Sequence, residues 1–198
     1  RQAFRAHAEN AMSDADFRGA QDAAIRDVVK LQEDCGLRVV TDGEFRRISY
    51  WEKFVRLTKG LVVKEAVFKF HDEHGHESDF TAPYAVAKVG RSEPITLDEY
   101  AFASKLTAAT QKVTMPAPST MHFYRFTDWG AKGVYADPLA FFTDLGRVYQ
   151  EEISDLHRAG CRYVQLDEVA LAITFLGFTT ARYVVHEYSL SEDQAQLH

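Results

Sequence analysis

Twice in this chain a helical stretch ends at a glycine, an apolar strand follows, and the strand runs out into carboxylates. The first copy is Cys35-Gly-Leu-Arg-Val-Val-Thr-Asp-Gly-Glu44 and the second is Gly160-Cys-Arg-Tyr-Val-Gln-Leu-Asp-Glu168. Glycine stops a helix because it accepts the left-handed conformation that other residues resist. The β-branched and aromatic content of Tyr163, Val164 and Leu166 predicts a buried parallel strand. Acids at the carboxyl end of such strands stand where α/β folds collect their ligands. The repeated design therefore predicts alternating helices and strands with Asp42, Glu44, Asp167 and Glu168 gathered at one rim.

The segments between these copies obey the same alternation. Ser13 is a good N-cap, with Asp14 and Asp16 in the first turn, and Phe17, Gln21, Ala24, Ile25, Val28 and Leu31 recur at helical spacing up to Gly36. Residues 1–12 also look helical. Tyr50, Trp51 and Phe54 predict a loop and short helix lining a pocket. Residues 61–70 and 85–89 look extended on either side of a polar turn, which predicts a hairpin excursion over about 61–89, inserted after an early strand. His71, His74 and His76 lie in that turn, and an exposed tip lacks the surroundings that orient metal ligands, so the turn is read as solvated.

A helix with Tyr100, Phe102, Leu106 and Ala109 available to a core comes next, then a strand from Lys112 that Pro116 and Pro118 break into a shaped loop. Met121 to Trp129 is dense in aromatics, suited either to lining a pocket for a flat ligand or to core packing. Asp137-Pro138 pairs an N-cap acid with proline at the first helical position, and Phe142, Leu145, Tyr149, Ile153 and Leu156 carry one apolar face towards Gly160. That helix is expected to pack outside the strand 162–167. Residues 173–198 follow the pattern poorly.

Composition narrows the function classes. A net charge of −6 with scattered basic residues argues against a nucleic-acid surface, because phosphate contacts need clustered Lys and Arg. No apolar run is long enough to span a bilayer and no signal-peptide pattern is present, so a soluble cytoplasmic protein is the expectation. Cys35 and Cys161 each sit beside a helix-stop glycine, and both are read as small buried residues without a disulfide.

Thr41-Asp-Gly-Glu-Phe-Arg-Arg47, Thr114-Met-Pro-Ala-Pro-Ser-Thr-Met-His-Phe123 and Gly160-Cys-Arg-Tyr-Val-Gln-Leu-Asp-Glu-Val-Ala-Leu171 resemble, in order and spacing, the cobalamin-independent methionine synthase family. The likeness covers about residues 1–172 and is greatest to the short relatives with a single barrel. It implies a (β/α)8 TIM-type barrel, a zinc ion at its carboxyl rim, and methyl transfer from a folate-type donor to the thiol of homocysteine. A complete barrel takes about 250 residues. The expectation for 1–198 is thus a single partial barrel domain, either a piece of a longer protein or one completed by a second copy in a homodimer.

Carried over residue by residue, Glu44 and Asp167 match the acids that hold the amino group of homocysteine, with Glu168 beside them. Tyr124 falls where the family stacks an aromatic residue on the pterin, and His122 lies next to a matched position. The family's zinc ligands are a His-x-Cys motif, a later Glu and a Cys near the last strand, and none has a counterpart in these residues, so the resemblance implies Zn2+ without assigning its ligands. Without the resemblance, Glu44 and Asp167 also fit a structural role, as capping acids or as ion-pair partners of Arg46 or Arg47. Three readings stay open: the methionine synthase reaction, a related alkyl or thiol transferase with another acceptor, and a truncated non-catalytic remnant completed by dimerisation.

Overall fold

The structure, a computed structural model, describes residues 2–66, 70–71, 77–78, 81–125 and 128–170. Two long helices carry the scaffold. Helix α2 (Asp14–Asp34) follows the short α1 (Gln2–Ala8); its Ser13 cap accepts a hydrogen bond from the Asp16 amide, and Gly36, at φ +78°, takes the chain out of it. Helix α6 (Pro138–Arg158) starts at Asp137, which accepts from the Ala140 amide, and ends before Gly160 at φ +101°. Both pairs of ends form where the local capping chemistry predicts them.

Between these helices lie β1 (Val39–Val40), α3 (Glu52–Arg56), β2 (Thr58–Glu65), β3 (Phe70–His71), β4 (Glu77–Ser78), β5 (Thr81–Arg91), α4 (Leu97–Ala103), β6 (Thr110–Pro116) and α5 (Thr120–Phe123), and β7 (Tyr163–Asp167) follows α6. Strands β1, β6 and β7 form a parallel sheet in the order β1-β6-β7. Strands β2 and β5 pair antiparallel as a separate ribbon, and β3 pairs with β4. The polar turn at 72–76 and residues 171–198 lie outside the described residues.

Side chains alternate across the parallel sheet. The register sets Lys112 opposite Tyr163, Thr114 opposite Gln165 and Pro116 opposite Asp167, so these residues share one face. Val113, Met115, Val164 and Leu166 share the other. The second face meets the helices: Val113 clusters with Leu156 of α6 and Cys161, and Met115 with Phe54, Phe141, Leu145 and Tyr149. Val164 packs against both clusters, which hold residues of β6 and of α6. Fully burying a side chain such as Phe54 or Phe141 contributes about 2–3 kcal/mol.

Several burial expectations are corrected. Tyr163 and Leu166 are 43% and 44% exposed rather than buried, because β7 has a strand neighbour on one side only among the described residues and Leu166 lies beyond the cover that Val164 receives. Cys35 is exposed while Cys161 is buried, and both thiols are free. Helix α2 buries Gln21, Ile25 and Val29 and leaves Leu31 exposed; α6 buries Phe141, Val148 and the charged Glu152 while Ile153 faces out. Glu152 is satisfied rather than stranded, accepting from the Ile95 and Thr96 amides at 2.8 and 2.7 Å and pairing with Arg91 at 3.0 Å. Trp51, Phe54 and Met121 belong to the core, with Trp129 packed against it.

Candidate functional site

The loop after β1 turns sharply at Thr41-Asp-Gly-Glu44. Thr41 Oγ1 accepts from the Gly43 amide, and Asp42 Oδ1 accepts from the Glu44 amide at 3.0 Å. These side-chain bonds replace a ladder and hold Glu44 at φ +57°, a left-handed conformation that costs a residue with a Cβ about 1–2 kcal/mol. Strain of this kind persists where surrounding structure imposes it. Here the surroundings are Thr114, whose hydroxyl donates to Glu44 Oε1, and Arg47, 3.5 Å from the same oxygen.

Arg47 is the pivot of the site. Its Nη2 donates to Glu99 Oε2 at 2.6 Å and to the Thr114 carbonyl at 3.0 Å, with the Arg47 and Glu99 side chains only 4% and 2% exposed. Lys53 bonds the other oxygen of Glu99 at 3.0 Å and Asp98 at 2.7 Å. Arg46 extends the chain, pairing with Asp22 at 2.6 Å and lying over the Phe102 ring. Charges alternate along this path, so each ion is removed from water only against an opposite partner. The exception is Asp42: it is buried, its Oδ2 has no hydrogen-bond partner among the described residues, and burial, followed by the Glu99 charge, raises its pKa.

Asp167 ends β7, opposite Pro116 at the end of β6. Its carbonyl accepts from the Ala117 amide, and its Oδ1 accepts from Gln165 Nε2 at 2.7 Å. Glu44 and Asp167 therefore flank the carboxyl end of the same central strand, β6, from its two sides. Glu168 is exposed and accepts the Ser119 hydroxyl through both oxygens, at 2.8 and 2.7 Å.

The two aromatic candidates sit differently. Tyr124 is buried, its hydroxyl 3.3 Å from that of Tyr50. His122 packs between the Trp129 and Phe142 rings, at 5.6 and 5.8 Å between centroids, and burial lowers its pKa, which favours the neutral ring. Near Glu168, Tyr149 donates to the Pro116 carbonyl at 2.6 Å, and burial, then the charge of Glu168, holds its phenol in the protonated form.

Among the described residues no group of three or more His, Cys, Asp or Glu is placed to hold a metal ion. They therefore do not make a zinc site by themselves. A cavity of about 800 Å³ opens between α2, α3 and α4 and is lined by Arg46, Lys53 and Asp98 but not by Glu44 or Asp167. Among the described residues no helix is long and apolar enough to cross a membrane.

Sequence reasoning passed over Thr114, Glu99, Lys53, Lys112 and Gln165. A usable signal existed for two of them: Lys112 and Thr114 alternate with Val113 and Met115, which marks one face of β6 as polar.

The model of the cobalamin-independent synthase catalytic domain matches residues 1–189. An uncharacterized Bacillus subtilis protein, YxjH, is 30% identical over 179 residues, covering 88% of this chain and 46% of its own length. The methionine synthase of Saccharolobus solfataricus is 29% identical over 174 residues, covering 86% and 49%. In fold, the chain is similar to a B12-independent methionine synthase from a Shewanella species solved in complex with selenomethionine, with a TM-score of 0.65 and 20% identity over 87% of this chain and 50% of that one. The chain spans about half the length of these relatives. With the family model matching residues 1–189 of the chain and the fold in agreement, the chain belongs to the cobalamin-independent synthase catalytic-domain family.

Proposed function

We propose that these residues form part of a (β/α)8 barrel that transfers a methyl group from a folate-type donor to the thiol of homocysteine. In the transfer the bond from the donor nitrogen to the methyl carbon breaks, a sulfur–carbon bond forms, and over the whole reaction the thiol proton passes to the donor nitrogen, which leaves as an N–H. In this reading Glu44 and Asp167 accept hydrogen bonds from the substrate ammonium and so orient its sulfur. The observation that carries the reading is Glu44, held in a left-handed conformation beside Thr114 and Arg47, with Asp167 on the other side of β6. Selenomethionine bound to the Shewanella relative supports an amino-acid ligand for this family. Zinc is implied by the family resemblance, and its ligands would come from outside the described residues.

Calorimetric titration of the full chain with homocysteine and with 4-mercaptobutanoic acid, which lacks the amino group, tests this reading. Homocysteine is expected to bind more tightly, and Glu44→Gln or Asp167→Asn to weaken it by about 1.5–3 kcal/mol, roughly 10- to 100-fold, with little effect on the analogue. Equal affinities of the parent for the two thiols would sink the assignment of both acids.

A further inference from the structure

The polar face of the sheet carries one arrangement that the family resemblance does not explain. Lys112 Nζ donates to Gln165 Oε1 at 2.8 Å, and Gln165 Nε2 donates to Asp167 Oδ1 at 2.7 Å. The spacing makes this possible, because Gln165 and Asp167 are two apart on β7 and share a face, while Lys112 lies diagonally across on β6. An ammonium can only donate and an ionised carboxylate can only accept. A primary amide between them has one favourable orientation, with its oxygen to the lysine and its nitrogen to the aspartate. Rotated by half a turn, it would set its NH2 against the ammonium and its oxygen against the carboxylate. Lys112 thus fixes Gln165, and Gln165 fixes Asp167. This is the one hydrogen bond to the Asp167 side chain among the described residues, and it leaves Oδ2 open for a ligand.

We propose that Lys112 and Gln165 are positioning residues: a Lys112–Gln165–Asp167 relay aims one oxygen of Asp167 at the amino group of the substrate. The proposal rests on the amino-group role assigned to Asp167 above. Neither Lys112 nor Gln165 touches the substrate in this scheme. Their effect is on selectivity, the ratio of affinities for homocysteine and for its analogue without the amino group.

The test measures that ratio by calorimetry on the full chain for the parent and for Lys112→Met, Lys112→Arg, Gln165→Leu and Asp167→Asn, with circular dichroism to show that each is folded. Gln165→Leu and Lys112→Met are expected to lower the ratio about tenfold, as Asp167 loses its aim, and Lys112→Arg to restore most of it, because it still only donates. A purely structural role would weaken both thiols alike and leave the ratio unmoved. If Asp167→Asn lowers the ratio while Lys112→Met and Gln165→Leu do not, the relay is refuted and the role of Asp167 survives. A ratio that Asp167→Asn itself leaves unchanged removes the amino-group reading, and the relay with it. Should Gln165→Leu fail to fold, the contrast between Lys112→Met and Lys112→Arg decides alone.

Discussion

Replacing Arg47 by methionine should unsettle the whole chain, because that one side chain ties Glu99, Thr114 and Glu44 together. Its guanidinium makes hydrogen bonds to both oxygens of Glu99, to the Thr114 hydroxyl at 3.2 Å and to the Thr114 carbonyl at 3.0 Å. Methionine keeps most of the volume and removes the charge. Breaking a buried ion pair by removing one partner costs about 3–5 kcal/mol, since the other charge stays buried. Lys53 remains 3.0 Å from Glu99, which places the cost at the lower end. The Thr114 carbonyl loses a donor as well, worth about 1 kcal/mol. The expected loss is therefore about 3–4 kcal/mol, a large share of the 5–15 kcal/mol typical of a domain. Urea unfolding followed by circular dichroism reads it as a lower midpoint at an unchanged slope. Arg47→Lys keeps the charge without the fork that spans Glu99 and Thr114, and should lose about 1–2 kcal/mol. A loss below about 1 kcal/mol for Arg47→Met, the range of exposed pairs, would refute the claim that this network is structurally essential.

Two further outcomes follow from burial. The pKa of Asp42 is raised by burial and then by the charge of Glu99, so the folded state holds its proton more tightly than the unfolded one; its contribution to stability is complete below the ordinary value of 3.8 and is lost as pH rises through the higher folded value. Asp42→Asn should accordingly flatten the fall in urea midpoint as pH rises from about 4, and parallel profiles for the two proteins would contradict this. Cys35 is exposed, whereas Cys161 is buried and its thiol pKa is raised by burial. A thiol reagent should therefore label Cys35 in the native protein and reach Cys161 only in denaturant, and native labelling of both would count against the packing of Leu156 on Cys161.

Local chemistry made much of the scaffold legible in advance. Ser13 and Asp137 cap helices through bonds that span three residues, and Gly36 and Gly160 end them by conformational freedom alone. The same holds for β1 and β7, with Glu44 in the loop after β1 and Asp167 the last residue of β7. What faced the core was less legible. Periodicity places residues on one side of a helix but does not say where the neighbouring layer presses, so Leu31 and Ile153 were expected inside and Val29 and Glu152 were not. A buried acid looks costly until its partners are known, and those of Glu152 lie 56 and 57 residues away.

The sequence by itself determined the alternation of elements, their capped ends and the placing of carboxylates at strand ends, because each depends on residues within a few positions of one another. Only the tertiary structure decided how those carboxylates are held. Glu44 meets Thr114 from 70 residues away, Arg47 meets Glu99 from 52, and Lys112 meets Gln165 from 53. Each contact depends on strand register and on which helix closes over which face. A register slipped by one residue would turn Lys112 and Thr114 away from Gln165 and Asp167, so pairing between distant strands, rather than any local motif, builds the site.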